Sequence, residues 1–168
     1  MKVREAAISD AAAVAAIYND GIAGREATFE TRPREPAEIE ARIASGTHPL
    51  LVAELDGDVA GWAGLAPYSD RSAYRGVAEC SVYVASARRG RGIGTHLLDA
   101  LAEDAERRGF HKLLGKLFPT NAASVALVRR GGFREVGLHR RHARLDGEWR
   151  DVLLVELLLG DAARAAPR

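Results

Sequence analysis

The segment Arg88-Arg89-Gly90-Arg91-Gly92-Ile93-Gly94 lies between two stretches of different periodicity, and no other part of the chain constrains the fold as much. Before it, Val77–Val84 alternates. Ala78, Cys80, Val82 and Val84 share one face and Glu79, Ser81 and Tyr83 the other, as a strand requires. After it, Leu97, Leu98, Leu101 and Ala105 form one helical stripe, Glu103, Asp104, Glu106, Arg107 and Arg108 stay solvated, and Gly109 closes the helix. A strand that enters a helix through a glycine-rich turn predicts a mixed α/β domain.

The remaining segments fit that class. Lys2 to Ala6 reads as a strand, and Ser9 or Asp10 caps a helix running through Val14, Ile17 and Tyr18 to Gly21 or Gly24. Residues 24–36 form a polar loop around Phe29, and Pro36 opens a second helix that ends at Gly46. Leu50–Leu55 and Val59–Ala66 make a hairpin through Asp56-Gly57-Asp58. Further strands follow at Lys112–Leu117, Phe133–Leu145 and Trp149–Leu159, with a short helix over Asn121–Arg130. The reading is one domain over residues 1–160 and a frayed tail over residues 161–168.

Composition limits the classes. The 24 Lys and Arg nearly cancel the 23 Asp and Glu, leaving a net charge of +1, which excludes a strongly basic chain built for nucleic acid. Cys80 is the single cysteine, so an intrachain disulfide framework and a Cys-rich zinc site are excluded. Val152 to Leu159 is the longest strongly apolar run; Glu156 interrupts it, and it is too short to span a bilayer. Asp10 stands where a secretory segment would be apolar. The expectation is a cytoplasmic protein.

At the central loop, amides at a helix N-terminus point outward and carry the positive end of the macrodipole, so the site suits phosphate. Glycines 90, 92 and 94 let a ligand approach the backbone, and Arg88, Arg89 and Arg91 add charge. A P-loop needs a lysine after the last glycine, but Thr95 follows; the dinucleotide fingerprint needs a glycine where Leu97 stands. Arg89 to Gly94 matches the Arg/Gln-x-x-Gly-x-Gly/Ala motif, and here the chain resembles the GNAT N-acetyltransferases. The phosphinothricin N-acetyltransferase branch is the more specific match. It rests on Tyr18-Asn19, Phe29, Ala73-Tyr74-Arg75, Ala78 to Val84, Gly109 to Lys112, Asn121 to Ser124, Gly132-Phe133 and Gly147 to Asp151.

The resemblance implies a mixed sheet whose fourth and fifth strands splay, with acetyl-CoA in the opening. Val82, Tyr83 and Val84 would hold its acetyl and pantetheine parts, and a backbone amide near Tyr83 or Val84 the oxyanion. Amides of Gly90, Arg91, Gly92, Ile93, Gly94 and Thr95, with Arg89 beside them, would cradle the diphosphate. Asn121 would touch the cofactor arm; it is also a good helix N-cap, and the two roles are compatible. A free amine of pKa near ~10 is mostly ammonium, so a base must take its proton. Glu79 is the candidate, against the alternative of a solvent-facing strand carboxylate. Arg71, Tyr74 and Arg75 would bind an acidic, amino-acid-like acceptor, because arginine meets carboxylate and phosphinate bidentately. Phe29 would wall the pocket or serve as a satellite core contact. The branch also implies a homodimer.

Departures accompany the match. Val128 stands where many GNAT enzymes place a tyrosine acid, Gly76 replaces an aromatic, and Val77 replaces a threonine. His139-Arg140-Arg141-His142 is unlike the branch. On a regular strand the two histidines would face opposite ways, so no metal is expected. Cys80 reads as a buried hydrophobe rather than a nucleophile. The expected activity is direct transfer, in a ternary complex, from acetyl-CoA to a small amine of the phosphinothricin or methionine sulfoximine type. A peptide or protein N-acetyltransferase is the enzymatic alternative. A nucleic-acid or anion-binding module using Arg88–Arg91, Arg129–Arg130 and Arg140–Arg144 is the non-enzymatic one, although its basic blocks are short and lack stacking aromatics.

Overall fold

Alternation, turn glycines and helical stripes produce the elements at nearly the positions the sequence predicts. A computed structural model of the chain describes residues 1–164. Its strands are β1 Lys2–Glu5, β2 Leu50–Leu55, β3 Asp58–Pro67, β4 Val77–Val84, β5 Lys112–Leu117, β6 Arg134–Leu145 and β7 Glu148–Leu158. Its helices are α1 Ala11–Ala23, α2 Pro36–Ser45, α3 Ile93–Arg107, α4 Ala122–Arg130 and the short α5 Gly160–Arg164. The frayed tail expected from residue 161 is therefore helical as far as Arg164, and residues 165–168 lie outside the described residues. Among the described residues no helix is long and apolar enough to cross a membrane.

One seven-stranded sheet runs in the order β1-β2-β3-β4-β5-β7-β6. Its pairings are antiparallel except for β4 with β5. Both faces of the N-terminal half are covered, so its strands carry apolar residues on both sides. Ile93, Leu97, Leu98 and Leu101 of α3 pack one face with Ala53, Ala63, Leu65, Ala78 and Leu113. Val14 and Ile17 of α1 and Ile39 of α2 pack the other with Leu50, Val52 and Trp62. At about 25 cal/mol per Å² of apolar surface removed from water, these two clusters dominate the stabilisation.

Two irregularities of the sheet bear on the site. β4 and β5 pair over only three rungs, Val77–Lys112, Ala78–Leu113 and Glu79–Leu114, and part beyond Glu79. On β6, the ladder to β7 passes from His139–Val152 to Ala143–Arg150, four residues against two. Arg141 adopts φ 48° there, and its amide donates to Asp151 Oδ1 at 2.7 Å. This bulge corrects the expectation that His139 and His142 face opposite ways. Their Nδ1 atoms are 3.2 Å apart, because the extra residues cancel the strand's two-residue period.

Candidate active site

The fork between β4 and β5 opens a cavity of about 380 Å³, lined by Val82, Tyr83 and Val84 on one side and by Asn121, Ser124 and Leu127 of the α4 region on the other. Arg89, Gly90, Gly92, Ile93, Gly94 and Thr95 form its mouth. Gly90 and Gly92 have φ 75° and 78°, which only glycine adopts without strain, and Gly92 caps α3. The turn bonds use the amides of Thr95 and His96, both donating to the Gly92 carbonyl at 3.1 and 3.2 Å. The amides of Gly90 to Gly94 make no backbone bond in this turn. A row of free amides at the start of a 15-residue helix fits an anionic diphosphate, and the strand gap beside it fits an extended arm.

The cavity's inner wall is positioned by aromatic packing. Tyr83 stacks on Trp62, with centroids 4.8 Å apart, and meets Tyr18 edge-on at 4.9 Å. A Cβ on Gly21 would come within 2.7 Å of the Tyr83 ring, so α1 needs glycine at this contact. Burial pushes the Tyr83 phenol well above its ordinary range, so it stays neutral. Asn121 Oδ1 accepts from the Ser124 amide at 3.0 Å as the α4 cap, while its Nδ2 donates to the Glu26 carbonyl at 2.9 Å. The second bond ties the α1–α2 loop across the opening, and Glu26 and Ala27 join the lining.

A second cavity, about 620 Å³, lies on the sheet face that bears Tyr83, farther along, where β5, β7 and β6 carry no helix. Leu114 and Leu154 form its floor, with Lys112, Lys116, Glu156, Tyr68, Tyr74, His111, His139 and His142 around it. Glu79 is paired with Leu114 and shares its face. Its carboxylate takes a 2.5 Å hydrogen bond from Lys116 Nζ. Glu79 thus stands at the last rung before the fork, beside Leu114 and Lys116 of the second cavity, and lines neither cavity itself. Buried Glu156 is held below the usual carboxylate range, chiefly by Lys112 at 2.9 Å and then by Arg134.

A family model described as "Acetyltransferase (GNAT) family" matches residues 15–133. The chain belongs to the GNAT acetyltransferase family. It is 35% identical, over 98% of both chains, to a curated L-methionine sulfoximine/L-methionine sulfone acetyltransferase of Pseudomonas paraeruginosa. The structure of a GNAT superfamily phosphinothricin acetyltransferase from Sinorhizobium meliloti in complex with AcCoA superposes with a TM-score of 0.91. That pair is 30% identical over 99% of this chain and 92% of the other. A ribosomal-protein-alanine N-acetyltransferase structure from Brucella melitensis gives a TM-score of 0.89 at 37% identity, over 95% of this chain and all of the other.

Within this GNAT domain the expected residues separate. Val82, Tyr83, Val84, Arg89, Gly90, Gly92, Ile93, Gly94, Thr95 and Asn121 line the fork cavity; the Arg91 side chain is exposed and does not. Tyr74 lines the second cavity, edge-on to Tyr68 at 5.5 Å. Arg71 and Arg75, expected beside it, are exposed and line neither cavity, because the turn at Ser72–Tyr74 directs them outward. Phe29 packs edge-on against buried Phe118 at 4.8 Å, the core-contact alternative. Val128 is buried in the GNAT core, so no side-chain acid stands there. Cys80 faces that core opposite Glu79, and burial pushes its thiol up to about 12. Sequence reading gave Arg130, which lines the fork, only to the anion-binding alternative, and missed Lys116, whose parity with Leu114 was its one signal. Gly76 also has a partner: a Cβ there would collide with His111 Nδ1, so the imidazole occupies the space an aromatic would need.

Proposed function

We propose that this protein transfers the acetyl group of acetyl-CoA to the amino group of a small, amino-acid-like acceptor such as phosphinothricin or methionine sulfoximine. The observation that carries the reading is the position of Glu79 at the last rung before the fork, with its carboxylate bonded to Lys116 of the second cavity's lining. The free amides of Gly90 to Gly94, with Arg89 and Arg130 beside them, receive the diphosphate. The parted backbone of Val82 to Val84 receives the pantetheine arm and its thioester, and an amide near Tyr83 or Val84 stabilises the developing oxyanion.

The acceptor occupies the second cavity. Its ammonium is held by Glu79, which accepts a proton directly or through water as the amine attacks. The new C–N bond forms as the thioester C–S bond breaks, and the thiolate leaves without help from position 128. Both substrates are present together, so no acetylated Cys80 intervenes. The flanking of the acceptor cavity by Tyr68 and Tyr74 on one side and the β6 histidines on another favours a compact molecule over an extended peptide. The reading includes residues 1–160 as one acetyltransferase domain, acting in the cytoplasm as a homodimer.

A thiol-release assay across phosphinothricin, methionine sulfoximine, polyamines and N-terminal peptides tests the acceptor class. Glu79→Gln should lower kcat by about 10²–10³-fold while the KM for acetyl-CoA stays within about twofold. Unchanged turnover would sink the base assignment, and turnover of peptides alone would overturn the small-acceptor reading.

A further inference from the structure

The acceptor cavity contains one cluster that acetyl transfer leaves unused. His139 and His142 both line it, their rings edge-on with centroids 4.8 Å apart and their Nδ1 atoms within hydrogen-bond reach. A regular β6 would separate them. They meet because Arg141 is held in the left-handed region, a conformation unfavourable for a non-glycine residue, with its amide fixed by Asp151. A carboxylate holding a strained residue so that two imidazoles share a pocket wall is a constructed arrangement.

The charges in the cavity show what the pair can meet. Lys116 is bonded to Glu79, and Glu156 is bonded to Lys112 and Arg134. The two lysines therefore already have carboxylate partners. Tyr68 and Tyr74 bring phenol rings, and His111 is turned toward Gly76. Among the described residues no carboxylate lies within ion-pair distance of His139 or His142, and no group of three His, Cys, Asp or Glu side chains is placed to hold a metal. In the imidazole pair one Nδ1 donates and the other accepts, so the accepting ring carries its proton on Nε2. That bond uses the two Nδ1 atoms and leaves the Nε2 positions for a ligand. Imidazole N–H donors in a cavity whose carboxylates are already paired complement the oxygens of an anionic oxoacid.

We infer that His139 and His142 bind the acidic side group of the acceptor, and that they make this enzyme prefer amino acids with an anionic oxoacid side group over neutral isosteres. The inference rests on the small-acceptor reading above. The acceptor's amino end is at Glu79, its methylene chain lies over Leu114 and Leu154, and its acid end meets the β6 bulge.

Phosphinothricin, with its phosphinate, and methionine sulfone, uncharged at the same place, separate the possibilities. In steady-state kinetics, H139A/H142A should raise the KM for phosphinothricin about tenfold, as expected on losing a hydrogen bond to a charged group. The KM for methionine sulfone and for acetyl-CoA should stay within about twofold, which also reports intact folding. Asp151→Ala, which frees the bulge and leaves both histidines in the chain, should shift the acceptor preference in the same direction. Equal losses on both acceptors, or an unchanged KM for phosphinothricin, overturn the inference alone. Wild-type protein that acetylates neither acceptor overturns the function reading and this inference with it.

Discussion

Glu79 and Cys80 are neighbours in sequence with opposite fates, because β4 alternates. Glu79 turns to the helix-free face, where Lys116 reaches it. Cys80 turns to the α3 core, where burial holds its thiol up at about 12 and removes it as a nucleophile. Cys80→Ala should accordingly keep kcat within about twofold and cost about 1 kcal/mol of stability, read from denaturant unfolding beside an activity assay. Loss of turnover with the fold intact would restore a covalent route through that sulfur. The side chain that most changes the pocket's shape is an absent one. Gly76 leaves its space to His111, so a larger residue there must displace the imidazole that now edges the second cavity.

Among the elements, the junction of β1 with α1 shows how local chemistry sets a boundary. Asp10 accepts from the Ala7 amide at 2.8 Å and holds the Arg4 guanidinium at 2.6 and 3.0 Å, fixing the turn before α1 against the strand it leaves. The hydrogen bond from Arg4 is the main reason the Asp10 carboxyl is held below its ordinary value; burial opposes it, and the Ala7 amide helps. A depressed folded pKa gives stability that is complete above the unfolded value near ~3.9 and is lost as pH falls through the folded value. Asp10→Asn should therefore cost about 2 kcal/mol near neutral pH. The gap to wild type should close in unfolding curves taken below about pH 4. A pH-independent gap would assign the loss to packing.

The bounds of β4 and β5 were legible because alternation and turn residues state them locally, and most of the fork's lining followed from the glycine loop. The β6 bulge was not: Arg140-Arg141 carries no glycine to announce a left-handed residue, and the partner strand decides which rung is skipped. Nor does the sequence say that the turn at Ser72–Tyr74 sends Arg71 and Arg75 outward, or that Lys116 reaches Glu79, which depends on register between strands distant in the chain.

For the whole molecule, one cavity draws its walls from the N-terminal sheet, the central loop and α4, so a ligand that fills it holds all three together. Acetyl-CoA at a hundred times its Kd should add about 2.7 kcal/mol and raise the Tm by about 5–10 °C, measured by calorimetry. Acceptor alone should shift it far less, and an equal shift from the acceptor would contradict the division of the two cavities. The three rungs between β4 and β5 carry a wider consequence. The sheet's halves come from consecutive lengths of chain, β1–β4 before Gly109 and β5–β7 after it, and each is antiparallel within itself. The parallel seam joins these two lengths of chain through three rungs and the shared core beneath α3. A molecule lying in the open end of that seam serves as a clasp as well as a reactant.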